Sequence, residues 1–448
     1  MRVIVCGSGE VGTHVTEVLS ALGGSITVVD ADPERLRSIA DQHDVQTLRG
    51  DCGFAHVLAE AGAEDADLVV AATSDDKTNL LTAALANRLG TRKVVARVHA
   101  TSYFRHESFD YCKGLGVDRL ICPEYSTAQA IAQTLRNPAA IAIENFAQGS
   151  IEIEQFAVDE DAPAVGRTLS DIPLPSGARL AVIVRGRSAF VPDGASRVEA
   201  GDLVVLAGAA DVFNRARALF QEKPGRRRVV LMGGPEMAIW LCEALRERMF
   251  SIRLFEARRA RAEELAAKLP WITVLHADPT DRETFQEEQL GQADVFVAMR
   301  PDDEDNIIAC VLAKSRGVTQ TIAVVQRSNY LDVLPDIGVD RTFSPRIVAA
   351  RQIESVLDDR PFRAITEFAD GSLVVYRFKI GGGCTLVGRR LREVKLTPDW
   401  SIIVIRRGTQ AVVPSAGDTL AVGDAVLVIG RAGREAAARQ LFDVRDEA

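Results

Sequence analysis

The chain has 448 residues, enough for two to four domains at about 100–200 residues each, and its 47% hydrophobic and 26% charged content excludes a disordered chain and a fibre. Its longest apolar stretches, such as Leu203 to Ala210, fall far short of the ~20 residues that cross a bilayer as a helix, so no membrane span is expected. Lys plus Arg total 53 against 62 Asp plus Glu, and the net charge of −9 offers a nucleic-acid backbone no basic surface, which disfavours such a partner.

In chain order, the first elements alternate. A strand over 2–6 precedes a helix over 11–22, and a strand over 25–30 precedes a helix over 33–42. Buried strands follow at 45–49, 68–72 and 93–98, with helices at 54–61 and 77–89 between them. Repeated strand–helix–strand units of this kind predict an α/β, Rossmann-like, doubly wound parallel sheet with helices on both faces. The pattern then changes. Short β-like runs at 151–157, 179–185, 189–191 and 202–207 are broken by Pro and Gly signals and closed by a helix over 210–220, which predicts a small α+β domain.

The same order is then written a second time. Gly233 follows Gly7 by 226 residues, Glu256 follows Asp30 by 226, and Asp278 follows Asp51 by 227. Gly116-Val117-Asp118-Arg119 recurs as Gly338-Val339-Asp340-Arg341 at a spacing of 222, followed by Pro123 and Pro345. Val165-Gly166-Arg167 and Gly201-Asp202 recur at the same spacing. A held register of this length marks an internal repeat. Four domains result: 1–136 and 227–359 as Rossmann-like lobes, and 137–222 and 360–448 as smaller lobes, with a Pro-Gly and charge-rich linker at 221–228.

Gly7-Ser8-Gly9-Glu10-Val11-Gly12 is a GxGxxG run between a strand and a helix, trailed about 20 residues later by Asp30 at the end of the next strand, the context in which such a run binds a dinucleotide. Gly7 permits the tight turn, Gly9 lets the backbone approach a pyrophosphate, and Gly12 lets the helix pack close to the sheet. The helix start offers unpaired N–H groups to the anion. Asp30 would accept hydrogen bonds from a ribose hydroxyl and repel a 2′-phosphate, which favours NAD(H), ADP or ATP over NADP(H). Glu10 beside a phosphate is expected to point away. Thr73 and Ser74, after the fourth strand, face the same sheet edge. Arg97 is either a further ligand contact or the ion-pair partner of Asp51, itself a candidate contact at the end of the third strand.

In the second copy the glycine loop reads Gly233-Gly234-Pro235-Glu236-Met237-Ala238. Proline lacks the N–H and fills the space a phosphate would use. Thr73, Ser74 and Arg97 become Arg300, Pro301 and Val324, while Glu256 and Asp278 keep the acids and remain candidate contacts. The second crevice is expected to be empty or altered, with Arg300 as a phosphate contact the alternative.

No HExxH, GxSxG or Walker-type run occurs, and none of the six histidines lies in the smaller lobes. A nucleotide site without visible catalytic machinery favours a sensor, with no enzyme activity and no catalytic or metal site expected. The rivals are an NAD-dependent oxidoreductase and a scaffold with vestigial sites. Seven cysteines without a CxxC pair predict buried or free thiols, and the opening residues lack a signal-peptide pattern, so a cytoplasmic location is expected.

The loop at 3–12, the runs Ile26-Thr27-Val28-Val29-Asp30 and Ala71-Ala72-Thr73-Ser74-Asp75-Asp76 with Asn79, and the tandem lobe order together resemble the TrkA-type regulators of potassium transport, built from RCK (KTN) domains. The resemblance covers essentially the whole chain. It implies a nucleotide-binding regulatory subunit that docks peripherally on a separate membrane potassium-translocating protein of the TrkH/KtrB type. It also implies a ring of eight RCK lobes, hence a homotetramer of this two-copy chain. Carried over by residue, its nucleotide contacts fall on Gly7, Ser8, Gly9, Glu10 and Val11, on Asp30, and on Thr73, Ser74 and Arg97.

Overall fold

The computed structural model describes residues 1–21, 23–104, 109–136, 151–186, 188–221, 226–246, 249–327, 330–331, 333–357, 362–368, 373–394, 400–408 and 410–442. The domain boundaries placed at 137, 222, 359, 360 and 448, linker residues 222–225 and helix position 22 lie outside them.

The first Rossmann-like lobe has strands β1 (Arg2–Cys6), β2 (Ser25–Asp30), β3 (Gln46–Arg49), β4 (Leu68–Ala71), β5 (Val94–Arg97) and β6 (Arg119–Ile121). Its helices are α1 (Glu10–Ala21), α2 (Pro33–Gln42), α3 (Ala55–Glu60), α4 (Asp76–Leu89), α5 (Tyr111–Leu115) and α6 (Pro123–Arg136). The sheet is parallel in the order β3-β2-β1-β4-β5-β6. Consecutive strands reverse direction of travel between β1 and β4, the switch point outside whose carboxyl ends ligands bind in open α/β sheets. Strands buried on both faces read as continuous apolar runs, and β4 is buried at all four positions.

The first smaller lobe has β7 (Ile151–Ala157), β8 (Ala178–Arg185), β9 (Ser188–Phe190), β10 (Leu203–Ala209) and helix α7 (Ala210–Arg217). Its antiparallel sheet runs β7-β10-β8-β9. The second Rossmann-like lobe has β11 (Arg227–Met232), β12 (Phe250–Phe255), β13 (Thr273–Leu275), β14 (Val295–Ala298), β15 (Gln320–Val324) and β16 (Arg341–Phe343). Its helices are α8 (Glu236–Ala244), α9 (Arg259–Lys268), α10 (Arg282–Glu287), α11 (Asp303–Ser315) and α12 (Pro345–Leu357). The order β13-β12-β11-β14-β15-β16 repeats that of the first copy. The last lobe has β17 (Phe362–Phe368), β18 (Leu373–Lys379), β19 (Trp400–Arg407), β20 (Gln410–Val412), β21 (Ala425–Arg431) and helix α13 (Glu435–Leu441), in the sheet order β17-β18-β21-β19-β20. The architecture is the predicted one: a two-domain unit used twice.

The chain forms two compact units, one from residues 1–133 and 225–358 and one from 134–224 and 359–448. In the first, the lobes exchange helices. α12 of the second copy packs along α1, and its Ala349 and Ile353 join the first copy's core beside Val15 and Leu19. On α6, Tyr125 meets Trp240 of α8 edge to face at 5.7 Å. α8 is accordingly buried from Met237 through Cys242, where α1 is amphipathic. In the second unit the two antiparallel sheets share one core, with Val182, Val205 and Ala207 against Val375, Ile403 and Leu427.

The smaller lobes repeat one ion pair. Arg185 Nε donates to Asp202 at 2.8 Å, and Arg407 Nε donates to Asp424 at 2.8 Å. Asp424, 1% exposed, also accepts the Ala421 amide at 2.8 Å. Asp424→Ala is expected to cost about 1–3 kcal/mol by leaving that amide unpaired, read as a lower unfolding midpoint. Burial of Asp424 opposes its charge, yet the Arg407 and Ala421 hydrogen bonds outweigh burial and hold its carboxyl below the usual range. A lowered carboxyl contributes stability that is complete above its unfolded pKa of about 4 and is lost as pH falls through the folded value. Thermal midpoints should therefore be insensitive to this group between pH 8 and 5 and fall below about pH 4, less so in Asp424→Asn.

Candidate functional site

The turn that ends β1 is built as the glycine spacing predicts. Gly7 has φ +99°, and a Cβ there would sit 2.9 Å from the backbone of Ala72 and Thr73. A Cβ on Gly12 would lie 1.8 Å from the Gly7 carbonyl oxygen, so only glycine lets α1 approach the loop this closely. Gly9 differs: the nearest atom to a Cβ there is Arg35 Nη1 at 3.9 Å, so this position faces open space. Val11 points into the core at 6% exposure and has only backbone to offer a ligand.

Asp30 closes back on the loop. Its carboxylate accepts the Ser8 amide at 2.6 Å, the Ser8 hydroxyl at 2.8 Å and the Asp32 amide at 2.9 Å. Burial works against its charge, but these donors and the Arg35 guanidinium prevail and hold the carboxyl below its ordinary range. Asp30 is thus a fixed anion with lone pairs left for further donors. Ser8, Gly9 and Glu10 line a pocket of about 400 Å³ that runs along Thr13 and His14 of α1. Asp30 adjoins this pocket through Ser8 and does not line it, nor do Thr73, Ser74 or Arg97; the open glycine, the helix start and the carboxylate fixed behind Ser8 fit a nucleotide's phosphate and ribose.

Thr73 is held at the neighbouring rim by Asn79, which is fully buried. The Asn79 carbonyl accepts from the Thr73 amide at 2.8 Å, and its NH₂ donates to the Thr73 and Arg97 carbonyls, each at 3.0 Å. The loops after β4 and β5 are therefore pinned together by one side chain. Ser74 is exposed. Arg97 turns to Glu124 at 3.5 Å and to His99 at 2.9 Å, and the alternative pairing with Asp51 is not formed among the described residues. Asp51 accepts the Gly53 amide at 2.8 Å, which makes it a turn-forming residue of the loop after β3.

The second copy's loop is occupied by its own side chains. A Cβ on Gly234 would meet Leu265 Cδ1 at 2.3 Å, and Arg261 Nε donates to the Gly234 carbonyl at 2.8 Å. Glu256, in the place of Asp30, accepts the Gly234 amide at 2.9 Å and pairs with Arg258 at 3.1 Å. Arg300, the alternative phosphate contact, is bound to Asp278 at 2.6 Å. Its charge is neutralised in place, and Asp278 is engaged by Thr280 as well, at 2.6 Å.

Sequence reasoning missed the residues that reach the pocket from the second copy: Gln326, Ser344, Arg346 and Ile347. The signal was present. After the repeated Gly-Val-Asp-Arg, one copy continues Pro123-Glu124 and the other Pro345-Arg346, a reversal of charge at an otherwise matched position.

Comparison with known proteins places these features in a family. The TrkA-N domain family matches residues 3–123 and 229–345, and the TrkA-C domain family matches 153–221 and 375–443. A Trk system potassium uptake protein TrkA homolog from Archaeoglobus fulgidus is 30% identical over 96% of this chain and 97% of its own. The Trk system potassium uptake protein TrkA of Vibrio alginolyticus is 30% identical over 92% of each chain. Among solved structures, the GsuK channel bound to NAD superposes with TM-score 0.58 at 17% identity, over 99% of this chain and 79% of that one, a likeness of fold.

Proposed function

From the premise that the chain belongs to the TrkA family, with its N and C domains each present twice, we propose that it is the cytoplasmic regulatory subunit of a potassium-uptake system. In this reading it binds NAD(H) or an adenine nucleotide at the first copy and sets the activity of a separate membrane translocating subunit. The observation that carries the reading is the asymmetry of the two loops: Gly9 opens onto a pocket, whereas its counterpart Pro235 stands in a loop filled by Leu265 and braced by Arg261. The relatives' names as Trk potassium-uptake proteins support the system, and the NAD-bound GsuK channel supports the ligand class.

In the bound state Asp30 accepts from the ribose, and the amides of Gly9, Glu10 and Val11 donate to phosphate. No covalent step is needed. A nucleotide with unequal affinity for two conformations of an eight-lobe ring, assembled from four chains, shifts their populations and so the state of the membrane partner. Among the described residues no helix is long and apolar enough to cross a membrane, consistent with action through a second chain.

The test is affinity co-purification of the full chain from host membranes. A polytopic potassium transporter should be recovered, in a yield that changes with ADP, ATP or NADH. Recovery of no membrane protein under any nucleotide would overturn the regulatory reading. Binding without turnover is also expected, so a substrate-dependent loss of NADH absorbance would favour an oxidoreductase instead.

A further inference from the structure

The pocket of the first copy is completed by the second. Because α12 lies along α1, its second residue, Arg346, stands over the start of α1 and meets Glu10 Oε2 at 2.7 Å. Glu10 itself is largely solvent-exposed, 73% of its side chain. Arg346 Nε is buried without an acceptor among the described residues, and so is the hydroxyl of Ser344, a residue only 4% exposed. Both residues line the pocket in front of Ser8 and Gly9. Buried donors left unpaired cost free energy that a ligand acceptor would recover.

The repeat sharpens the assignment. At the matching positions the first copy carries Cys122 and Glu124, and Glu124 is engaged by Arg97. The start of α12 thus brings a cation and a spare hydroxyl to the intact glycine loop, whereas the start of α6 carries a thiol and an acid at the matching positions. Arg346 lines the same pocket as Ser8, Gly9 and Thr13, held at the start of α1 by Glu10.

We propose that Arg346 is a ligand-binding residue of the first copy's site, exchanging Glu10 for the terminal phosphate of a nucleoside di- or triphosphate, with Ser344 as a second donor. The proposal rests on the nucleotide reading given above. It also gives Glu10 a role: the acid beside the phosphate site neutralises Arg346 until a stronger acceptor arrives.

The experiment is calorimetric titration of the full chain with ATP, ADP and AMP. Arg346→Ala should weaken ATP and ADP at least about ten-fold and AMP less than about two-fold, since a charge-assisted pair is lost only with the longer phosphate chain. Glu10→Gln, an exposed change, should strengthen ATP a few-fold by removing the competitor. Equal weakening of ATP and AMP by Arg346→Ala would overturn the proposal, as would unchanged ATP affinity while Gly9→Asp abolishes it, a result that leaves the nucleotide site itself standing. Absence of binding by the unmodified chain would overturn both.

Discussion

A Gly9→Asp chain is expected to fold as the unmodified protein does and to lose nucleotide affinity by more than about 100-fold. The space decides this. A Cβ at Gly9 approaches nothing closer than 3.9 Å, so the protein tolerates the side chain, but the carboxylate then stands where phosphate must lie and repels it. Gly12→Val is the contrasting case, because its Cβ would fall 1.8 Å from the Gly7 carbonyl oxygen. It should lose both the fold of the first lobe, by about 3 kcal/mol or more, and the ligand. Circular dichroism and calorimetry on the two variants separate the outcomes. Equal loss of stability in both would mean that the glycines serve packing alone.

The second large effect is expected at Asn79. Asn79→Ala removes the partner of the Thr73 amide and of the Thr73 and Arg97 carbonyls from a fully buried position, at a cost of about 2–3 kcal/mol. The second copy has the same device: Asn306, also fully buried, accepts from the Arg300 amide at 2.8 Å and donates to the Arg300 and Val324 carbonyls. Asn306→Ala should destabilise by a similar amount. Only Asn79→Ala should also weaken nucleotide binding, because Thr73 backs the intact glycine turn, 2.9 Å from a Cβ on Gly7, whereas the second copy's loop is filled by Leu265. Tryptophan fluorescence in denaturant, with Trp240 and Trp271 in this unit, reads the stability term. A loss below about 0.5 kcal/mol in both variants would show that water replaces these bonds at little cost.

The central strands of the Rossmann-like lobes were legible because parallel strands buried on both faces leave continuous apolar runs, and because the repeat supplied each run twice; β3, expected as a buried strand over 45–49, is instead largely exposed at the sheet edge. β6, three residues long, and α6 after it were not anticipated. The reason is physical: α6 and its counterpart α12 bury their faces against the other copy, so their pattern has no local strand to complement. Strand β17 of the last lobe was likewise absent from the predicted elements; the matching positions of the first copy, 140–146, lie outside the described residues.

At the site, Gly7, Gly9 and Gly12 followed from backbone chemistry that any strand–turn–helix must obey, and the closure of the second loop followed from what proline lacks. Pairings across the sheet did not. Arg97 was weighed against Asp51 because a charge in an apolar strand needs a partner, yet β2, β1 and β4 separate their strands and its guanidinium reaches Glu124 on α6, an element that the sequence reading had left out. Arg300 was an open choice between ligand and structure because its partner Asp278 becomes adjacent only once β13 and β14 flank β11 and β12. Glu10 was a conflict with phosphate when read alone, and Arg346 resolves it from the far end of the repeat.

The central claim is that one of two repeated crevices holds a regulatory nucleotide. Titration of the full chain with NADH, ADP and ATP, counting ligand bound per chain, tests it most directly. The account predicts one nucleotide per chain, lost in Gly9→Asp and retained in Pro235→Gly without gain of a second. Two nucleotides per chain, or binding that survives Gly9→Asp, would contradict it.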